Sequence, residues 1–190
     1  MTINKIGIYF DSNYFYKIYE HYQNRRNEKI DIKNLVPFII KKLEYYHFGK
    51  KKSESSVVSE LRFYIDNNED APHVKKVIEE GLEGTELKGE IYHFTSYQGV
   101  DVRFALDAYK SAKADNYDVL ALICGDSDFV PLAWYVKKEI EKDVCLFYWD
   151  IGNTKTSKAL IEVVSDSSFP MHECYPEGRL STTGLRLKDR

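Results

Sequence analysis

The stretch LALICGDSDFVPLAWYV, residues 120–136, joins two segments of different character. The first belongs to a short, continuous apolar run, Asp118–Cys124, which predicts a buried strand. A helix is predicted directly afterwards, over Ser127–Glu139. Two aspartates, Asp126 and Asp128, lie at the junction, where an acidic group either caps the helix or belongs to a site.

The same alternation of strand and helix extends along most of the chain. Apolar or alternating runs predict five further strands, at Ile6–Phe10, Val57–Ile65, Glu90–Thr95, Val144–Trp149 and, as an edge strand, Ser168–His172. Helical spacing and capping residues predict five further helices, at Tyr14–His21, Asp31–Phe48, Asp70–Glu80, Gly99–Ala114 and Thr154–Val164. This order indicates a mainly parallel central sheet covered on both faces, which is a three-layer α/β/α, Rossmann-like fold.

Two of these helices carry an expectation about their ends. Pro37 fits the helix over Asp31–Phe48 only if it lies in the first turn, because proline disrupts a helix interior. Asp70 should cap the following helix, and Gly81 should end it.

Length and composition predict one ordinary globular domain. The chain has 190 residues, 43% of them hydrophobic and 30% charged, and we expect a domain over residues 1–175 and a flexible tail over 176–190. A net charge of −3 provides no basic field for tight binding of nucleic acid or of an anionic membrane, but it is compatible with an enzyme that holds nucleic acid weakly.

Cysteine usage and the absence of apolar segments predict a cytoplasmic protein. The three cysteines, Cys124, Cys145 and Cys174, lack the spacing of metal ligands, and we expect them to be reduced thiols. The first residues do not resemble a secretory leader, and no apolar segment is long enough to span a membrane.

Acidic residues lie at three of the predicted strand-to-helix junctions. Asp11 follows the first strand, Asp126 and Asp128 follow the fourth, and Asp101 opens the helix after the third, with Asp107 nearly two turns further along. In a parallel sheet these junctions meet at the edge where ligands bind. Packed carboxylates repel one another, so a hard divalent cation, Mg²⁺ or Mn²⁺, is predicted there. Such a site can activate water and stabilise a phosphodiester transition state.

Each acid also has a structural alternative. Asp11 and Asp126 could each cap a helix, and Asp101 could stabilise the helix dipole from the first turn. Asp107 could be solvated or paired with a lysine. None of these alternatives explains why three acidic junctions fall on one predicted edge, so the site hypothesis is favoured.

Several motifs together resemble the NYN family, the LabA-like branch of the PIN-like ribonuclease domains. They are IGIYFDSN, GVDVRFALDAY and DVLALICGDSDFVPL, in that order, with a weaker late match in KALIEVVSDSSF. The resemblance covers nearly the whole chain from Ile6 to about Phe169. The combination in this order is specific, whereas any one motif alone would be weak.

The resemblance implies a PIN-like fold and a metal-dependent endoribonuclease. The catalytic carboxylates that it assigns are Asp11, Asp101, Asp126 and Asp128, of which the first three would hold Mg²⁺ or Mn²⁺. Contacts to the substrate are assigned to Asn13, Ser127 and Asp107. The implied substrate is RNA, with a single strand favoured over a duplex, and no membrane partner is expected.

Two other hydrolase classes and the nucleotide triphosphatases are excluded, because this chain lacks residues that each of them requires. A haloacid-dehalogenase-type phosphatase needs a second acid two residues after Asp11, where this chain has Asn13. A GDS-type ester hydrolase needs an Asp-x-x-His near the C-terminus, but His172 lies six residues beyond Asp166. A Gly-rich phosphate loop is absent.

The remaining alternative is a module of the same fold that binds RNA or a protein without cutting. Tyrosines beside the site, Tyr14, Tyr16, Tyr45 and Tyr46, could stack bases, although packing in the core or in a homodimer is the favoured interpretation. The cluster of Arg25, Arg26, Lys50, Lys51 and Lys52 could guide a phosphate backbone, but a solvated loop is favoured.

Overall fold

Six parallel strands form one sheet, and this confirms the predicted three-layer α/β/α architecture. The structure, a computed structural model, describes residues 5–26, 30–48, 56–93 and 99–174. The strands within these ranges are β1 Lys5–Asp11, β2 Val57–Ile65, β3 Glu90–His93, β4 Val119–Ile123, β5 Asp143–Tyr148 and β6 Ser168–Pro170. The helices are α1 Ser12–Arg26, α2 Ile32–Phe48, α3 Ala71–Leu82, α4 Val100–Lys113, α5 Val130–Lys138, α6 Lys158–Val164 and α7 Met171–Cys174. Single 3₁₀ turns precede α5 and β6.

The strand order is β3-β2-β1-β4-β5-β6, so β1 and β4 lie side by side at the centre. The chain runs outward from β1 to β3 and then returns to β4, which makes the β1–β4 boundary the switch point of the sheet. The two strands end almost level, since Phe10 pairs with Ile123. In sheets of this kind, ligands bind beyond the carboxyl ends of the strands at the switch point.

Alternation along each strand divides the core into two halves. Ile6, Ile8 and Phe10 of β1 face the layer that contains α1, α2 and α3. Tyr9 faces the opposite layer, where α4, α5 and α6 cover the sheet. Because both faces are covered, the central strands are apolar on both sides, as parallel sheets require.

Two expectations about helix ends are wrong. Pro37 lies in the second turn of α2 rather than the first, and its exposed side chain leaves only one backbone hydrogen bond unmade on the solvent side. Gly81 does not end α3, which continues to Leu82. It is buried instead, and a Cβ there would lie 3.0 Å from Cβ of Ile32, so this glycine permits close packing of α3 against α2.

Asp70 occupies the predicted capping position of α3 without capping through its side chain. Its carbonyl accepts the first helical bond, from Val74 N at 2.9 Å. The backbone at Asp70 is already helical, with φ −83° and ψ −13°, and this conformation does not suit the side-chain capping bond.

The segment before α6 differs most from its prediction. A helix was expected from Thr154, but α6 begins at Lys158. The backbone N–H of Thr156 donates to Oδ1 of Asp150 at 2.8 Å, and that of Ser157 donates to the carbonyl of Gly125, also at 2.8 Å. These tertiary bonds hold residues 151–157 as a loop at the carboxyl edge of the sheet.

Some predictions fall beyond the described residues. They concern the proposed tail over 176–190, residues 94–95 of the third strand, and Lys50, Lys51 and Lys52, together with the side chains of Arg25 and Arg26. In the part of the chain that the structure describes, no helix combines the length and the apolar character needed to cross a membrane.

Candidate active site at the carboxyl edge of the sheet

Asp11 both caps α1 and faces the switch point. It is the last residue of β1, and its Oδ1 accepts a hydrogen bond from the backbone N–H of Tyr14 at 3.0 Å. Burial raises the pKa of Asp11 to about 7, and the nearby charge of Asp101 adds to this rise. The Tyr14 N–H and the charge of Lys17 oppose it but do not cancel it.

Asp126 has the same double character at the end of β4. Its Oδ1 accepts the backbone N–H of Asp128 at 3.0 Å and the hydroxyl of Ser127 at 3.2 Å, which caps the short 3₁₀ turn. All three residues are exposed. The capping explanation therefore describes bonds that are present, and it leaves these carboxylates open to the solvent-facing edge.

The third segment reaches the same edge through the start of α4. Gly99 precedes this helix with φ +104°, a left-handed conformation that glycine adopts at little cost. Asp101 follows in the first turn and is half-buried. Burial raises its pKa first, and the charges of Asp126 and Asp128 raise it further.

The charges of three of these carboxylates all act on Cys124, the residue that directly follows β4. Burial raises the pKa of this thiol well above its usual range, and the charges of Asp11, Asp101 and Asp126 contribute to the rise. Three segments of the chain therefore bring their acidic groups within electrostatic reach of one another.

The acidic groups are near one another without forming a ready-made ligand cluster. Within residues 5–26, 30–48, 56–93 and 99–174, no group of three acidic, histidine or cysteine side chains closes to metal-binding distance. The donor chemistry nevertheless fits a hydrated hard cation, because Mg²⁺ commonly uses one or two carboxylates and keeps several waters. Two features support the fit: the raised pKa of Asp11 and the buried Oδ1 of Asn13, which has no hydrogen-bond partner among the described residues.

Asn13 and Ser127 line the same cleft as Asp11 and Asp126, whereas Asp107 lies elsewhere. Asp107 is buried and accepts hydrogen bonds from Nε of Arg103 at 2.7 Å and from the hydroxyl of Tyr64 at 3.1 Å. The first bond lies within α4 and the second joins α4 to β2, so these contacts of Asp107 are structural.

The cleft has a volume of about 880 Å³ and extends away from the aspartates between α1 and the loop over 151–157. Residues that the sequence did not single out line it, chiefly Lys17, His21, Asn24 and Lys155. Spacing of three or four residues along α1 could have revealed the first three as one polar stripe on a helix rich in tyrosine. Lys155 was hidden by the helix predicted over its segment.

Tyr14 holds the walls of this cleft together. Its hydroxyl accepts the backbone N–H of Trp149 at 2.8 Å and lies 3.1 Å from Oγ1 of Thr156. The ring covers Gly125, where a Cβ would lie 2.4 Å from Cε2 of Tyr14. The ring is buried, so Tyr14 is a core residue, as favoured from the sequence. Tyr45 and Tyr46 are exposed on α2.

On the other side of the acids lies a smaller and more apolar groove. Asp101 and Asp128 stand at its margin, and side chains of α4 and α5 such as Leu106 and Tyr135 form its walls. Asp11 and Asp126 line only the large polar cleft. The acidic groups thus separate two surfaces of different chemistry.

Comparisons with known proteins give one family and one fold. The sequence model of the NYN domain matches residues 5–170. No curated protein matches the chain. A crystal structure of a protein of unknown function, VPA0982 from Vibrio parahaemolyticus RIMD 2210633, is similar, with a TM-score of 0.56 and 20% sequence identity over 88% of this chain and 92% of that chain. At that identity the likeness shows the fold alone.

Proposed function

Because the chain belongs to the NYN domain family of the PIN-like superfamily, we propose that it is a metal-dependent endoribonuclease. The family is generally ribonuclease-like. The observation that carries the proposal is the approach of Asp11, Asp101 and Asp126 at the switch point, where the charge of Asp101 raises the pKa of Asp11 and the charge of Asp126 raises the pKa of Asp101. A parallel sheet of this order binds its ligands at that place.

Asp11, Asp101 and Asp126 are the residues that would hold Mg²⁺ or Mn²⁺. A bound ion of this kind supplies activation of water and neutralisation of charge on a phosphodiester. Asp128 supports the arrangement through its backbone N–H, which orients the carboxylate of Asp126. Ser127 donates to the same carboxylate.

The remaining polar groups would orient the substrate. Asn13 lines the cleft from the first turn of α1, and its buried Oδ1 lacks a partner among the described residues. A cytoplasmic location and single-stranded RNA belong to the same proposal. The homodimer considered from the sequence stays a prediction.

Cleavage of labelled single-stranded RNA in the presence of Mn²⁺ tests the proposal. Asp126→Asn should abolish cleavage while the thermal unfolding curve remains cooperative. Asp166→Asn is the matched control, because it removes an exposed carboxylate from the turn before β6, at the opposite edge of the sheet. Full activity of Asp126→Asn, or no activity of the wild type with either metal, would overturn the enzyme proposal.

One observation favours a second candidate, a module that binds RNA without cutting it. In the described part of the chain, no three potential ligands come within metal-binding distance of one another. Retention of RNA by the wild type, without cleavage in Mg²⁺ or Mn²⁺, would select this candidate.

A further inference from the structure

One wall of the large cleft is a polar stripe along α1. Asn13, Lys17, His21 and Asn24 succeed one another at three or four residues, and all of them line the cleft. At 1.5 Å per residue, the stripe from Asn13 to Asn24 is about 16 Å long. Its near end is at Asp11, so the stripe leads directly away from the acidic groups.

The loop over 151–157 forms the other wall, and its shape is fixed. Ile151 and Thr154 exchange backbone hydrogen bonds of 3.1 and 2.9 Å, which closes a tight turn. Gly152 lies in this turn with φ +54°, and a Cβ there would lie 3.1 Å from Nδ1 of His21. The turn therefore packs directly against α1, and the two walls meet at this contact.

The cleft carries two lysines that can contact the phosphates of a polyanion. Lys17 lies on one wall and Lys155 on the other, and both are exposed. Neither forms an ion pair with another residue in the described ranges. Glu20, also on α1, is the one acid besides Asp11 and Asp126 that lines the cleft. Ammonium groups on two sides of a groove, beside amides and hydroxyls, are the chemistry that contacts a sugar-phosphate backbone.

The cleft is poorly suited to reading bases by stacking. Tyr14 is the one aromatic ring other than His21 among its lining residues, and that ring is buried against Gly125 with its hydroxyl bonded to Trp149. Single-strand binders that stack bases present exposed aromatic faces. Contacts in this cleft therefore go to phosphates and sugars, and they carry little sequence preference.

We propose that the cleft between α1 and the loop over 151–157 binds one RNA strand, with Lys17 and Lys155 contacting phosphates next to the cut bond. The proposal rests on the ribonuclease function and gives the path of its substrate. The strand leaves the aspartates along α1. We expect a single strand to be preferred over a duplex, because the loop approaches α1 closely where Gly152 packs on His21.

Fluorescence anisotropy with a labelled single-stranded oligouridylate tests this path in the Asp126→Asn background, where cleavage does not consume the probe. Lys17→Gln and Lys155→Gln should each weaken binding roughly three- to tenfold and lower the salt dependence of log Kd by about 0.7, the amount for one phosphate contact on a single strand. Lys138→Gln is the matched control, since it removes an exposed lysine from the end of α5, at the opposite edge.

The outcomes separate this inference from the proposed function. If the background protein binds RNA and the three glutamine variants are indistinguishable, the path is wrong and the ribonuclease proposal stands. If the background and the wild type both fail to bind RNA, the proposed function falls and the path falls with it. Duplex RNA of the same length should bind more weakly, and tighter binding of the duplex would also overturn the path.

Discussion

Asp11 shows how one side chain can serve the fold and the site together. Its Oδ1 accepts the Tyr14 N–H and thereby begins α1, while burial raises the pKa of the same carboxyl group to about 7. A carboxylate that only capped a helix would be favoured in its charged form. Here the charged form is disfavoured, which is the condition that a cation would relieve.

This condition gives a pH dependence to the stability of the metal-free protein. The folded-state pKa of about 7 lies above the ordinary value of 3.8, so the contribution of Asp11 is fully present below about pH 4 and is lost as the pH rises through 7. Asp11→Asn should therefore raise the free energy of unfolding at pH 8 by on the order of 4 kcal/mol, with the difference vanishing near pH 4. Urea unfolding in EDTA across this range measures it, and parallel curves for the two proteins would contradict it.

Gly125 makes a second prediction for a single residue. An alanine Cβ would lie 2.4 Å from the ring of Tyr14, and the bonds of Tyr14 to Trp149 hold that ring in place. We expect Gly125→Ala to lower the free energy of unfolding by about 1–3 kcal/mol, the usual cost of overpacking, and to reduce RNA cleavage by displacing Asp126. An unchanged midpoint in urea would contradict this packing argument.

At the level of elements, the sequence predicted β1 and β4 well and the loop over 151–157 poorly. The runs Ile6–Phe10 and Asp118–Cys124 are apolar throughout, so local pattern and tertiary burial agree there. At the end of this loop the backbone N–H groups of Thr156 and Ser157 donate to Asp150 and Gly125, which are contacts that no periodicity can reveal. The wall that this loop provides was missed for that reason.

Substitution of the glycine in the turn of this loop should affect RNA binding separately from its effect on stability. Gly152→Ala places a Cβ 3.1 Å from His21 at φ +54°, and the left-handed conformation costs an alanine roughly 1–2 kcal/mol. Gly84→Ala is the matched control, because it has a similar φ of +69° and nothing within 4 Å of its Cβ. Both variants should lose similar stability, and only Gly152→Ala should weaken RNA binding by anisotropy. Equal RNA affinities would contradict the role assigned to the turn.

Asp107 has structural contacts that the motif alone did not indicate. It was assigned to substrate contacts through the motif that it ends, yet its carboxylate accepts bonds from Arg103 and Tyr64. The Arg103 partner lies four residues earlier on the same helix, a spacing visible in the sequence. The Tyr64 partner comes from β2 and required the structure.

At the scale of the molecule, the strand order creates the site. Alternating strands and helices predicted a parallel sheet but not the order of its strands, which depends on long-range pairing. The observed order places β1 beside β4, and this brings residues 11 and 126 to one crevice although they are far apart in the chain. The rule that ligands bind beyond the carboxyl ends of strands made the convergence predictable.

The acidic balance of the chain limits how it can hold RNA. With a net charge of −3 and two lysines in the cleft, few phosphates are neutralised. We expect log Kd for single-stranded RNA to rise with log salt concentration at a slope of only about 1.4, from two contacts at about 0.7 each. Anisotropy titrations over a range of KCl concentrations measure the slope, and a value several times larger would require a basic surface elsewhere.

The most direct measurement of the central claim is Mn²⁺ binding by titration calorimetry, because the claim is that three segments supply one cation site. Wild type and the Asp166→Asn control should bind Mn²⁺, and Asp11→Asn, Asp101→Asn and Asp126→Asn should each weaken binding at least about tenfold. If the wild type binds no Mn²⁺, or if none of the three substitutions changes the affinity, the aspartates are helix caps and the claim is contradicted.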